Sequence, residues 1–236
     1  MIGPILAEGL PALGLSPTAE QRAALERYCR ALLEKNQVMN LTAIREETEA
    51  AQLHLLDSAA LAGLWDLEGQ RVVDVGTGAG FPGLVLRILT PSMELTLLDS
   101  LKKRLDWLEE VRADLGLGGV ETLHARAEEA GRDPALRESF DVATARAVAE
   151  LRLLCELCLP LVKVGGVFLA MKSVESDREL EEAGPALRAL GGQVERVSDY
   201  AIPGTEIRHR LVVIRKASAT PGAYPRPFAR MKKRPL

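Results

Sequence analysis

The chain has few cysteines and no long apolar run, and both absences narrow its class. Its 236 residues include three cysteines, too few for the disulfide framework of a small secreted domain. No run of about 18 apolar residues occurs, so the sequence predicts no membrane-spanning helix. Its first residues, Met1 to Pro4, lack the basic start of a signal peptide. We therefore expect a cytoplasmic protein with no membrane partner, long enough to bury a sizeable core in one or two domains.

Charge is distributed unevenly along the chain. The formal net charge is −3, yet the last 20 residues carry five basic side chains and no acidic one, so residues 1–216 carry −8. A basic tail on an acidic body predicts a local contact with an anionic partner. Tyr224 and Phe228 lie among these charges, where aromatic rings could stack on bases. The alternative for this proline-rich tail is a frayed, solvated terminus.

The most informative segment is a glycine turn at residues 72–83, Val-Val-Asp-Val-Gly-Thr-Gly-Ala-Gly-Phe-Pro-Gly. An apolar run ends in Asp74, glycines occupy alternate positions from Gly76 to Gly80, and Pro82 opens an amphipathic segment. This order predicts a buried strand, a tight turn and a helix with proline at its first position. Glycine lets the backbone pass close to a ligand, usually a nucleotide-like cofactor. The alternative is a turn that binds nothing.

Two classes of cofactor compete for this turn. The dinucleotide fingerprint G-x-G-x-x-G needs a third glycine where helix and strand touch, and Phe81 occupies that position. The spacing here, G-x-G-x-G, instead resembles the first motif of methyltransferases that use S-adenosylmethionine (SAM). The acid two residues before the first glycine fits that resemblance as well. A dinucleotide-dependent oxidoreductase is therefore the less favoured interpretation.

From residue 71 onward, apolar β-rich runs alternate with amphipathic segments. The predicted strands are 71–75, 94–98, 120–124, 140–144, 166–171, 193–201 and 208–215. The predicted helices are 18–37, with Thr18 as N-cap, then 46–63, 81–90, 101–115, 149–161 and 176–190. Such alternation predicts an α/β fold, a doubly wound parallel sheet with helices on both faces.

The gap between the last two predicted strands is too short for a crossover helix, so the last strand is predicted to run antiparallel. A seven-stranded Rossmann-like sheet with this terminal hairpin is the variant found in SAM-dependent methyltransferases. The predicted organisation is a helical N-terminal extension at 1–68, a SAM-binding domain at 69–216 and the basic tail at 217–236.

Chemistry is expected at the carboxyl ends of the strands, where such sheets bind their ligands. Gly76, Thr77 and Gly78 follow the first strand, and Asp99 follows the second. The Asp99 carboxylate is placed to accept hydrogen bonds from both hydroxyls of a ribose. The alternative role for Asp99 is to cap the helix that follows.

A basic rim is predicted at the same edge of the sheet. Taken singly, each of its side chains is an ordinary surface charge. Their convergence on an otherwise acidic body favours a polyanionic substrate such as RNA. The rim consists of Lys102, Arg126, Arg146, Lys172, Arg208 and His209.

Together, the ordered motifs resemble the RsmG (GidB) family of bacterial methyltransferases of small-subunit ribosomal RNA. The resemblance runs from about Gln21 to the end of the tail, with one departure, since Lys35 and Met39 stand where the family often has an aromatic pair. The motifs, in order, are Asn-Leu-Thr-Ala-Ile-Arg at 40–45, His-Leu-Leu-Asp-Ser at 54–58, the glycine turn, Leu-Leu-Asp-Ser at 97–100, Arg-Ala-Glu-Glu at 126–129, Ala-Arg-Ala at 145–147, Met-Lys at 171–172 and Arg-His at 208–209.

The resemblance implies a cofactor and roles for single residues. Gly76 and Phe81 would lie against SAM. Ala127 and Glu128 would flank its adenine through backbone contacts. Arg146 would stand where cofactor and target meet, as the catalytic residue. The implied partner is 16S rRNA or the small ribosomal subunit, with no DNA, and the enzyme is expected to be a monomer.

The implied reaction is methylation of N7 of a guanine. This nitrogen carries a free lone pair at neutral pH, so no proton need leave and no general base is required. The sequence lacks the Pro-Cys and Asn-Pro-Pro-Tyr motifs of other methyltransferase chemistries, and catalysis would depend mainly on proximity and orientation. Arg146 is expected to hold the guanine O6 or a phosphate. A ribosome-assembly module that binds RNA without catalysis is the alternative.

Two further constellations favour structural roles. His54, Asp57 and Ser58 fall on one helical face, and we interpret them as a hydrogen-bonded cluster that supports the cofactor wall rather than as a nucleophilic triad. Cys155 and Cys158 form a C-x-x-C inside an apolar helix, which predicts a buried, inert face.

Overall fold

A mixed sheet forms the centre of the computed structural model, which describes residues 1–146 and 149–236. Its strands are β1 (Arg71–Val75), β2 (Glu94–Asp99), β3 (Val120–His124), β4 (Phe140–Arg146), β5 (Val162–Ser173), β6 (Gly192–Ala201) and β7 (Arg208–Lys216). Their order in space is β3-β2-β1-β4-β5-β7-β6. The first five strands are mutually parallel, and β7 runs antiparallel between β5 and β6. The predicted fold class and the antiparallel last strand are confirmed.

The helices of the described residues flank this sheet. They are α1 (Ile2–Ala12), α2 (Ala19–Met39), α3 (Glu47–Ala50), α4 (Asp57–Leu64), α5 (Gly83–Leu89), α6 (Lys102–Asp114), α7 (Ala127–Ala130), α8 (Leu151–Cys158), α9 (Asp177–Glu182), α10 (Gly184–Leu190) and α11 (Phe228–Lys233). A π-helical turn, Ala51–Leu56, joins α3 to α4. Ala147, part of one family-like motif, lies outside the described residues.

Three details differ from the predicted helices. The segment predicted as one helix at 176–190 divides at Ala183, because Pro185 lies at the start of α10 and has no N–H for a continuing helix. Pro82 is the N-cap of α5 rather than its first helical residue. The helices α1, α7 and α11 were not among the predicted elements.

The N-terminal helix α2 is fastened directly to the glycine turn. Thr18 caps it through reciprocal hydrogen bonds with Gln21, as the sequence predicts. One face of α2 is buried, with its buried residues at helical spacing. On that face the Tyr28 hydroxyl donates to the carbonyl of Ala79. The Tyr28 ring also packs on Phe81, with 5.1 Å between the ring centroids. The position of the glycine turn therefore depends on the N-terminal helices.

The sheet separates two apolar clusters. One lies under the N-terminal helices and includes Leu25 and Leu56 together with Val72 of β1. The other lies under α8, α10 and α11. Residues 1–68 thus share a core with the sheet, and the three-part division of the chain stays a prediction. No helix of residues 1–146 and 149–236 combines the length and the apolar character that crossing a bilayer requires.

The basic tail is folded onto the domain by side chains that bind its backbone. Arg137 donates to the carbonyls of Thr220 (2.6 Å) and Tyr224 (2.8 Å). Arg132 donates to the carbonyl of Pro225 at 2.6 Å. These bonds satisfy backbone groups in a segment whose prolines prevent regular hydrogen bonding.

A buried ion pair completes the attachment of the tail. Glu156 of α8 is 1% exposed, and its two carboxylate oxygens accept from Arg226 at 2.8 and 2.6 Å. Met231 of α11 is fully buried beside the same helix cluster. The tail therefore follows a defined path across the molecule, held by a charge that cannot reach water.

Replacing Arg226 with alanine is expected to lower the free energy of unfolding by roughly 3 kcal/mol, because it leaves the buried Glu156 carboxylate unpaired. Urea denaturation measures this loss. Adding Glu156→Gln to Arg226→Ala is expected to restore part of it, since the charge is then removed. The matched control is Arg178→Ala, which breaks an exposed ion pair with Glu182 and should cost less than about 0.5 kcal/mol. Equal effects of the two arginine variants would contradict a buried charge at Glu156.

Candidate active site

A cavity of about 480 Å³ opens at the carboxyl ends of β1 to β4, within the usual size range of small-molecule sites. Its walls follow the order of the strands in the sheet, from the loop after β3 to the last residue of β4. Four separate strand ends contribute to it. All the residues predicted to bind the cofactor line this one cavity: Gly76, Thr77, Gly78, Phe81, Asp99, Ala127, Glu128 and Arg146.

The glycines of the turn serve two different purposes. Gly76, Gly78 and Gly80 all have positive φ angles, which glycine adopts without strain. A Cβ at Gly78 would meet only the Gly76 carbonyl, at 3.9 Å, so this face stays open to the cavity. A Cβ at Gly80 would lie 2.5 Å from the Tyr28 hydroxyl. Gly78 thus leaves room for a ligand, whereas Gly80 permits close packing of α2.

Asp74, the acidic residue before the last strand position ahead of the glycine turn, stabilises that turn from its buried side. Asp74 is fully buried, and its Oδ2 accepts from Thr77 Oγ1 at 2.6 Å and from the backbone N–H of Gly83 at 3.0 Å. A Cβ at Gly83 would lie 2.8 Å from that same oxygen, so helix and strand approach closely here. Burial raises the pKa of Asp74 to about 6, against the opposing hydrogen bonds from Thr77 and Gly83.

Asp99 faces the cavity from the end of β2. Its Oδ2 accepts from the N–H of Gly78 at 3.0 Å and from the Arg104 guanidinium at 3.5 Å, and its Oδ1 accepts from the N–H of Leu101 at 2.8 Å, which leaves one position on Oδ1. The helix α6 begins at Lys102 with Leu101 as its N-cap, so Asp99 shapes the loop before the helix instead of capping it. A carboxylate offers about four acceptor positions. Asp99 therefore keeps acceptor capacity for hydroxyls that enter the cavity.

At the β4 end of the cavity, Arg146 is held by three acceptors. Its guanidinium donates to Asp57 Oδ2 (3.0 Å), to the carbonyl of Leu53 (3.1 Å) and to His54 Nδ1 (3.0 Å). It also lies 5.0 Å from the centroid of the Phe81 ring, on which the His54 ring stacks at 4.7 Å. Arg146 is thus fixed in orientation at the cavity wall.

Asp57 collects donors from three strands. Besides Arg146 of β4, Tyr200 of β6 and His209 of β7 each donate to its Oδ1 at 2.8 Å. Burial alone would raise the pKa of Asp57, but the hydrogen bond from His209 and the charge of Arg146 hold it below its ordinary value. Ser58 joins the cluster by donating to the carbonyl of His54 at 2.6 Å. The predicted hydrogen-bonded cluster at 54–58 is present.

The bonds of His54 define its tautomer. Its Nδ1 accepts from Arg146, so its Nε2 carries the proton and donates to Thr42 Oγ1 at 2.8 Å. Burial, aided by the positive charge of Arg146, lowers the pKa of His54 to about 4. Thr42 Oγ1 also accepts from the N–H of Ile44 at 3.1 Å. The hydroxyl hydrogen of Thr42, which lines the cavity, therefore stays free to donate. His54 itself lies on the π-helical turn, a feature often found at functional sites.

The predicted RNA-binding residues occupy different surroundings. Lys102 and Arg208 are exposed, and Lys102 pairs with Asp106 on its own helix. Arg126 lines the cavity and pairs with Glu128 at 2.7 Å. The Lys172 ammonium is largely buried against Glu179 at 2.6 Å. His209 is bound to Asp57, as described above. Contact of these side chains with RNA stays a prediction.

Several residues of the cavity were not predicted to bind the cofactor. Thr42 and His54 appear in family-like motifs, but their spacing to the glycine turn gives no sign of contact. Leu157 of α8 and Phe228 of α11 also line the cavity. The sequence predicts that Phe228 could stack on RNA bases. In the structure its ring lies at the wall of the cavity.

Comparison with known proteins gives consistent matches. The sequence model of the family described as rRNA small subunit methyltransferase G matches residues 21–209. The ribosomal RNA small subunit methyltransferase G of Alkaliphilus oremlandii (strain OhILAs) is 45% identical over 233 residues, covering 98% of each chain. The protein of the same name from Acetivibrio thermocellus is 43% identical over 232 residues, covering 98% of this chain and 96% of that one. The solved structure of the mitomycin 7-O-methyltransferase MmcR is 17% identical and has a TM-score of 0.56, covering 84% of this chain and 68% of that chain.

The fold is shared with a solved methyltransferase structure, and the matching sequence family and relatives identify the class as a SAM-dependent methyltransferase. The chain belongs to the rRNA small subunit methyltransferase G family. The predicted family, the enzyme class and SAM as the cofactor are confirmed. The roles of single residues stay predictions.

The half-buried His54 is expected to make stability depend on pH. The unfolded chain protonates this ring near its ordinary pKa of 6.5, whereas the folded protein does so only near pH 4. Stability from His54 is therefore fully present above pH 6.5 and is lost as the pH falls toward 4. Urea unfolding of wild type and His54→Gln should show a wild-type advantage that shrinks over this window.

A wild-type advantage that stays constant from pH 6.5 to 4 would contradict a neutral His54 in the folded protein. The pH dependence of stability also reflects Arg146, Asp57 and His209, because they belong to the same hydrogen-bond network as His54. The variant His124→Gln, which removes an exposed histidine, is the matched control for the chemistry of the substitution.

Proposed function

We propose that this protein transfers the methyl group of SAM to N7 of a guanine in the 16S rRNA of the small ribosomal subunit. The observation that carries the proposal is the convergence of residues from four strand ends on one cavity. Family membership supports the ribosomal substrate, and the resemblance to the RsmG family supports the guanine N7. We further propose a monomeric enzyme of the bacterial cytoplasm that takes neither DNA nor a membrane as its partner.

The residues of the cavity fit the cofactor. Gly78 leaves its cavity face open, and Asp99 keeps acceptor capacity beside it. Asp99 would hold the ribose hydroxyls, and the backbone of Ala127 and Glu128 would flank the adenine. Gly76 and Phe81 would lie against the remainder of SAM. The bound cofactor supplies an electrophilic methyl group on a positively charged sulfur.

The hydrogen bonds at the β4 end of the cavity favour a reaction that releases no proton. Both ring nitrogens of His54 are engaged, and burial keeps its pKa near 4. The carboxylate of Asp57 is occupied by donors from three strands. Neither group is placed to act as a general base. Methylation of guanine N7 needs none, because the nitrogen already presents a lone pair.

Two donors at this end of the cavity suit the edge of a guanine. The Arg146 side chain has five N–H groups, and three of them are used by Leu53, His54 and Asp57. Within residues 1–146 and 149–236, the other two N–H groups and the hydroxyl hydrogen of Thr42 have no acceptor, so we propose that they donate to an acceptor such as the guanine O6. Fixed donors of this kind orient a base without reorganisation during the reaction.

The enzymatic proposal has a direct test. The protein is incubated with methyl-labelled SAM and either small ribosomal subunits or naked 16S rRNA, and the labelled nucleotide is then mapped. Label on N7 of a guanine in 16S rRNA is the expected result. A protein that binds SAM but transfers no methyl group would support the non-enzymatic RNA-binding alternative. Calorimetric binding of NAD without binding of SAM would support the oxidoreductase.

Replacing Arg146 with alanine is expected to lower kcat/KM for methyl transfer more than tenfold, since the fixed donor to the base is lost. The variant Arg146→Lys keeps the charge but not the planar fork, and should be intermediate. Lys163→Ala, near the amino end of β5 and so at the end of the strands away from the cavity, is the matched control and should match wild type. Near-wild-type kinetics in Arg146→Ala, with unfolding measured alongside, would show that Arg146 does not act on the substrate.

A further inference from the structure

Phe228, carried by the folded tail, lines the cavity at the end opposite Arg146. The sheet order places the loop after β3 at one end of the cavity and β4 at the other. The Arg126 guanidinium lies 5.5 Å from the centroid of the Phe228 ring, which assigns the ring to the β3 end. The other apolar side chains here are Ala125, Ala127 and Leu157. This end of the cavity is therefore suited to a flat, apolar group.

The ring is held in place from outside the cavity. Two residues before it, Arg226 forms the buried ion pair with Glu156. Three residues after it, Met231 is fully buried. Lys232 adds a second cation, 5.9 Å from the ring centroid. Phe228 thus lies between two anchors, and its presence at the cavity does not depend on a ligand.

We propose that Phe228 is a cofactor-binding residue, whose ring forms the wall against which the adenine of SAM packs. The C-terminal segment 217–236 is then part of the cofactor site. This inference rests on the proposed function, because it requires SAM in the cavity with its ribose at Asp99. The strand beside β2 in the sheet is β3, so a base attached to that ribose would have Phe228 within its reach at the end of β3.

The proposal explains why the tail carries an aromatic residue at this position. Purines present two apolar faces, on which aromatic side chains stack favourably. The remaining walls at this end are small or aliphatic, since they come from Ala125, Ala127 and Leu157. Phe228 supplies the aromatic side chain at this end of the cavity.

Calorimetric titration with S-adenosylhomocysteine tests the assignment without turnover. Phe228→Leu keeps an apolar side chain but loses the ring, and its Kd is expected to rise about tenfold. Phe228→Tyr keeps the ring and should bind within about threefold of wild type. Arg230→Ala, on the exposed face of the same helix, is the matched control and should leave the Kd unchanged.

A second readout reports proximity directly. In Phe228→Trp, the introduced indole should change its emission as S-adenosylhomocysteine binds, and the change should saturate at the calorimetric Kd. A wild-type Kd in Phe228→Leu, or no emission change in Phe228→Trp at saturation, would overturn the proposal. Urea unfolding of the unliganded variants distinguishes loss of the contact from release of the tail. Failure of the wild-type protein itself to bind would contradict the proposed function instead.

Discussion

The buried carboxylate of Asp57 is the constraint on which the site depends. A charge in this position is costly unless donors surround it, and here they come from Arg146, Tyr200 and His209 on β4, β6 and β7. Asp57 lies on a helix of the N-terminal extension, so one carboxylate ties that extension to three strands. The same bonds fix the guanidinium of Arg146 at the cavity wall, before any substrate arrives.

The N-terminal extension therefore contributes directly to the structure of the cavity. Its helix α2 holds the glycine turn through Tyr28, and its π-helical turn presents His54 to Arg146 and Phe81. The motif at 40–45 supplies Thr42, whose hydroxyl His54 orients. Removing the extension would expose apolar core and also dismantle one wall of the cavity. Residues that are far apart in the sequence thus lie together at the wall of one cavity.

The sequence predicted the parts of this structure that local patterns determine. Apolar periodicity located all seven strands of the described sheet, and the glycine spacing located the turn between β1 and α5. It did not predict the path of the tail, because that path depends on Arg226 meeting Glu156, 70 residues earlier in the chain. For the same reason, Phe228 was assigned to the tail and not to the cavity. The bonds of His209 and Lys172 to buried or internal carboxylates were equally invisible to a reading of strand ends.

The folded tail also redistributes the charge of the molecule. Arg226 is paired with Glu156. The basic side chains at 230 and 232–234 are exposed on or beside α11. The Lys232 ammonium lies 5.9 Å from the centroid of the Phe228 ring, which lines the cavity, so this charge is close to the cavity. On a body that is otherwise acidic, such a patch attracts a polyanion to one place instead of to the whole surface. Its attraction weakens with salt, as that of any phosphate-binding surface does. The ion pair of Arg226 with Glu156 thus helps to position both the Phe228 ring at the cavity wall and the exposed basic side chains of the same helix.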